Sequence, residues 1–166
     1  FAEEKKSKTF ALLLSSPIHL IEIIVGKFLA CMIVVGLMIL LSTYSTGYLI
    51  LVGHPETGPV ITGYLGILLM SGCYVSMGLF ASSLTDNQII AAVISFGLAL
   101  FMWIIGWGAQ AGGSGLGQLL EYLSLITHLE HFLKGLISSS DLVYYLSFIF
   151  FGLFLTHRTL ESSRWR

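Results

Sequence analysis

The chain has 166 residues, of which 55% are apolar and only 10% charged, and its mean hydropathy is +0.88. That composition excludes an ordinary soluble domain. The net charge of −1 carries no information about partners, because charge here is distributed by position along the chain.

Residues 1–27 are mixed and charged. The Leu-rich stretch Phe10 to Leu14 breaks at Ser15-Ser16-Pro17, since proline disfavours helix in the residue before it. A second short helix, Ile18 to Lys27, is expected to run into the first hydrophobic stretch, giving a helix–break–helix unit at the membrane surface. Phe1 is not an initiator Met, and no apolar signal-peptide core follows it, so the chain is expected to begin inside a longer protein.

No Asp, Glu, Lys or Arg occurs from Phe28 to Gly53, from Pro59 to Thr85, or from Asn87 to Leu120, and a shorter charge-free run covers Leu142 to Thr156. A bilayer core about 30 Å thick needs roughly 20 apolar residues at a rise of about 1.5 Å each. Four spans are therefore expected, at about 28–52, 60–83, 88–108 and 141–157. Gly53-His54-Pro55-Glu56-Thr57-Gly58 closes the first with a breaker-rich turn, and the polar turn Ser82 to Gln88 separates the second from the third. The glycine run 112–117 stops the third. Segment 118–138 then alternates Gln118, Glu121, Ser124, His128, His131, Gly135 and Ser138 with Leu119, Leu120, Leu123, Ile126, Leu133 and Ile137, the pattern of an amphipathic helix lying on the interface.

Seven of the eight basic residues flank the spans at the two chain ends: Lys5, Lys6, Lys8 and Lys27 before the first, and Arg158, Arg164 and Arg166 after the fourth. The positive-inside rule places both ends in the cytoplasm, 54–58 and 109–140 outside, and 82–88 inside. Trp103, Trp107 and Tyr64 then fall near the outer boundary and Trp165 near the inner one.

Little in the sequence supports catalysis. His128 and His131 bracket Glu130, but they are three apart and lack a third ligand, so surface polarity on an amphipathic helix explains them better than a metal site. Cys31 and Cys73 lie in different spans and offer neither a disulfide framework nor a zinc site. No Gly-x-Ser-x-Gly turn or phosphate-binding loop occurs. The spans are expected to hold no ionisable group; their polar residues are hydroxyls and glycines. Thr43 with Gly47, and Gly72 with Ser76, are four apart, which suits close helix approach; a polar lining for an amphiphilic substrate is the alternative.

The stretch Glu3-Glu4-Lys5-Lys6-Ser7-Lys8-Thr9-Phe10-Ala11-Leu12-Leu13-Leu14-Ser15-Ser16-Pro17-Ile18, followed by Glu22-Ile23-Ile24-Val25-Gly26-Lys27-Phe28, resembles the segment before the third span of ABC-2 type transporter permeases. Gly78 to Gln88 and Phe151 to Arg166 extend the resemblance, which is nearest to the gliding-motility, GldF-like permeases. Such permeases have six spans, so this chain resembles the last four. The resemblance implies that residues 1–27 contain the coupling helix that seats in an ATPase cleft, with Glu3, Glu4, Thr9, Leu12, Leu13, Leu14, Pro17, Glu22, Gly26 and Lys27 in the coupling positions. Lys8 stands where Gly is usual, and Ala11 where an acidic residue is usual.

The expected fold is an all-α, polytopic transmembrane helical bundle with a cytoplasmic coupling segment (1–27), a transmembrane domain (28–166) and an outer interfacial helix. The expected function is the non-catalytic permease subunit of an ATP-driven exporter in a bacterial cytoplasmic membrane. Its partners would be an ABC ATPase, which holds ATP and magnesium, a second identical or related permease, and the lipid bilayer, with no nucleic acid. A scaffold subunit of a membrane complex, such as one anchoring motility machinery, is the alternative.

Overall fold

The structure is a computed structural model that describes residues 1–7, 19–53, 57–111 and 121–163. Its helices are α1 (Ala2–Lys6), α2 (Leu20–Gly53), α3 (Thr57–Leu84), α4 (Gln88–Ala111), α5 (Leu125–Leu133) and α6 (Ser139–Ser163), and the described residues contain no strand. Four of these are long and apolar enough to cross a membrane: Leu20–Tyr48, Thr57–Leu84, Gln88–Gly108 and Ser139–Ser162. The four expected spans are all present. The short helix expected at 18–27 is not a separate surface element, because α2 runs unbroken from Leu20 through Lys27 into the span. Nothing between Glu22 and Phe28 interrupts the backbone ladder; the break proposed at Pro17 lies outside the described residues.

Local chemistry sets the helix ends. At the start of α2 the Glu22 carboxylate accepts the His19 backbone N–H at 3.2 Å, the returning half of a capping box. Asn87 caps α4 by accepting the Ile89 N–H on its side-chain oxygen at 3.0 Å. Ser124 does the same for α5, accepting from Thr127 at 3.3 Å. That helix ends at Gly135, whose φ of 81° lies in the left-handed region. There the Gly135 N–H donates to the Phe132 carbonyl at 3.1 Å and the Leu136 N–H to the His131 carbonyl at 3.0 Å, a Schellman closure.

The spans run alternately up and down, and α3 is their centre, packing against α2, α4, α5 and α6. Small residues give it that place. Buried Gly63, Gly66, Gly72, Cys73, Ser76, Ala81 and Ser83 make a low surface on α3, and apolar lipid supplies no other drive for helices to associate than close packing. Ser76 meets Gly152 of α6, where an added Cβ would lie 2.9 Å from that of Ser76, and Gly72 faces Ile149 of the same helix. The Gly72–Ser76 pair is thus a packing motif. Thr43 and Gly47 make no such contact among the described residues of this chain: the Thr43 hydroxyl donates to the Leu40 carbonyl of its own helix at 2.6 Å, and nothing lies within 4 Å of where a Gly47 Cβ would be. Two apolar cores result. One, near α1, holds Phe1, Ile24, Leu79 and Leu160; the other, at the far end, holds Cys73, Met77, Leu125, Phe132 and Tyr145.

Within the amphipathic segment expected over 118–138, residues 121–123 are helical, Ser124 interrupts, and a second helix follows that is turned the other way. α5 covers Leu125–Leu133, and it buries Leu125, His128 and Phe132 against the bundle. Residues 118–120 lie outside the described residues.

Candidate functional site

At one end of the bundle α1 is held against the turn between α3 and α4. The Ala2 backbone N–H donates to Ser82 Oγ at 3.0 Å. Lys5 Nζ donates to the Ser83 carbonyl at 2.7 Å and lies 3.8 Å from the Asp86 carboxylate. Ser83 is in the last turn of α3, where unpaired carbonyls carry the negative end of the helix dipole, so a cation there is favoured. The Lys5 side chain is only 12% exposed, against 75% for Asp86, so the carbonyl contact outweighs the screened ion pair. Glu4 pairs with Lys27, two turns into α2, and the Lys27 ammonium also sits 4.8 Å above the Phe1 ring. One short helix therefore grips the ends of α2 and α3 and the start of α4.

Of the residues implied for coupling, the structure brings Glu4 and Lys27 together. Glu3 is exposed on α1, and Gly26 is exposed on α2 with open space where a side chain would project. Glu22 serves its own helix as a cap. Thr9, Leu12, Leu13, Leu14 and Pro17 lie outside the described residues. Sequence reasoning missed Lys5, Ser82, Ser83 and Asp86 as partners of this segment; the polar turn between the second and third spans was the available signal.

The opposite end holds a second polar cluster, which corrects two expectations. Asp141, in the first turn of α6 and inside the fourth span, is 2% exposed, so the spans do hold an ionisable group. His128 and His131 are not mere surface polarity. His128 Nδ1 lies 2.6 Å from Asp141 Oδ1 and His131 Nδ1 lies 2.9 Å from Oδ2, so two imidazoles share one carboxylate. Their spacing of three on α5 puts both rings on one helix face, turned toward α6. Among the described residues no group of three or more His, Cys, Asp or Glu side chains is arranged to hold a metal ion.

Four apolar spans, joined at one end by a charged helix and at the other by a short packed one, define a polytopic membrane protein. The profile of the ABC-2 family transporter proteins matches residues 1–155, and the chain belongs to that family. No curated protein and no solved structure is detectably similar to it. As a family member it is a transport membrane subunit of permease type, not itself catalytic.

Proposed function

We propose that this chain is the membrane-spanning permease of an ATP-driven ABC-2 exporter, and that residues 1–27 receive the stroke of a separate ATPase subunit. ATP and magnesium belong to that partner. The observation that carries the reading is the grip of α1: Lys5 on the end of α3 and Glu4 on Lys27 of α2 make a rigid link from this segment to the spans. A push on α1 moves several spans together. The reading places both chain ends in the cytoplasm, because seven of the eight basic residues cluster there, and the protein in a bacterial inner membrane. The second permease, identical or related, would cover part of the apolar faces of α2 and α4, on which Leu37, Leu41, Phe96 and Phe101 are exposed. A gliding-motility-type role is the narrower form of this proposal.

In that arrangement Leu12, Leu13 and Leu14 enter the ATPase cleft, while Glu3 and Glu22 stay at its rim. Burial of one Leu is worth roughly 1.5–3 kcal/mol, so Leu13→Asp should weaken ATPase binding at least about tenfold. The measurement is a pull-down of the ATPase by the full-length permease, with membrane insertion checked in parallel. Intact binding and intact stimulated hydrolysis in both Leu13→Asp and a triple Leu12, Leu13, Leu14→Ser variant would remove this segment as the coupling element and bring the scaffold role forward.

A further inference from the structure

We propose that His128, His131 and Asp141 form a proton-dependent latch that clamps α5 onto the bundle end remote from α1. His128 Nδ1 faces a carboxylate oxygen at 2.6 Å, and its Nε2 faces the backbone carbonyl of Tyr122 at 3.1 Å. A carboxylate and a carbonyl oxygen only accept, so both contacts are hydrogen bonds only if the cluster holds one proton more than a neutral imidazole beside an ionised Asp. The count is the same whether that proton rides on His128 or is donated by Asp141. His131 needs no extra proton, since a neutral ring with its hydrogen on Nδ1 satisfies Oδ2 at 2.9 Å.

The His128–Asp141 pair has little access to water. Asp141 is 2% exposed and His128 8%, and the Tyr144 ring stacks on His128 at 4.1 Å with an interplanar angle of 25°. Without the proton, a nitrogen lone pair would point at an oxygen lone pair among buried side chains. The surrounding ionisable groups supply no substitute. On α5, Glu130 and Lys134 face each other at 3.7 Å. In the helical residues 121–123 before α5, Glu121 is exposed, and so is Tyr122, whose ring meets that of His128 edge-on at 6.0 Å. On α6, the Tyr144 and Tyr145 hydroxyls each donate at 2.7 Å, to the carbonyls of Leu123 and Leu125. On α3, Cys73 points its thiol at the Tyr145 carbonyl at 3.7 Å and Tyr74 packs in the same core, to which α4 adds only Leu98 and Met102.

The latched α5 is a plug. Phe132, fully buried, sits over Gly66, and its carbonyl accepts the Thr62 hydroxyl at 2.6 Å. The Cys73 thiol belongs to the same buried core as Leu125 and Phe132, with no exposed surface. The caps at Ser124 and Gly135 bound the helix on either side, so it can lift as a unit. Because the closed form holds one more proton than the open one, its population falls as pH rises. This geometry stands whatever drives the spans.

Cys73 is a built-in reporter. The full-length protein, with every other cysteine replaced, is placed in lipid nanodiscs that expose both faces, and its reaction with N-ethylmaleimide is followed from about pH 5.5 to pH 9. Each rate is divided by that of the unfolded protein at the same pH, which cancels thiolate formation. The ratio should rise at least tenfold with pH in the unaltered latch. His128→Lys, which keeps a cation against Asp141 throughout, should hold the ratio low and flat, while His131→Gln should keep the rise. A flat ratio in the unaltered latch, or a His128→Lys curve that tracks it, overturns the proposal; loss of the rise in His131→Gln alone overturns the assignment of the proton to His128 and Asp141.

Discussion

The contact between α3 and α6 should be the most sterically intolerant place in the bundle, and Gly152→Ala tests it. A Cβ at 152 would lie 2.6 Å from Ser76 Oγ, 2.9 Å from Ser76 Cβ and 3.4 Å from the Ser76 carbonyl carbon. Ser76 cannot step aside: it has no exposed surface, and its hydroxyl is tied to the Cys73 carbonyl at 2.8 Å. The helices must separate, an overpacking cost of about 3 kcal/mol, offset by at most about 1 kcal/mol for Ala over Gly in a helix, which leaves a net loss of about 2 kcal/mol. Gly97→Ala in α4 is the control, because nothing lies within 4 Å of its Cβ; it should be neutral or stabilising by up to about 1 kcal/mol. Gly72→Ala should fall between, since its nearest neighbour at 2.8 Å is the tip of the flexible Ile149 chain. Stability would be read from reversible unfolding of the full-length protein in mixed micelles titrated with SDS. Adding Ser76→Gly to Gly152→Ala should recover most of the loss, a coupling that a double-mutant cycle measures directly. If Gly152→Ala is as stable as Gly97→Ala, or if Ser76→Gly fails to rescue it, the steric account of this interface is wrong.

Two further outcomes follow from the same structure. Lys5→Glu replaces a donor at the α3 C-terminus with an anion facing a carbonyl and Asp86, so α1 should detach; protease cleavage near residues 1–7 should accelerate, while Lys6→Glu should leave it unchanged. For topology, single cysteines at Ser7 and Ser162 should resist an impermeant thiol reagent in intact cells, whereas one at Ser139, at the other end of the bundle, should react; labelling of Ser7 from outside would invert the proposed orientation.

The number of spans was legible in the sequence because it depends on composition over about 20 residues, a property that bilayer thickness reads without reference to tertiary contacts. Central placement of α3 was half legible, through Gly72 and Ser76; the equally spaced Thr43 and Gly47 meet no other described helix of this chain, because α2 turns that face outward. Capping residues such as Asn87 and Glu22 act within a few positions of themselves, so these contacts are local ones. What only the tertiary structure decided are the long-range polar pairings. Glu4 meets Lys27, Lys5 meets Ser83, and His128 meets Asp141 across a helix end and a turn. On α5 taken alone, the His128 face is the polar one and belongs in water. It is buried because Asp141, in the first turn of the next helix, offers a carboxylate inside the protein, and a desolvated polar group goes where its partner is.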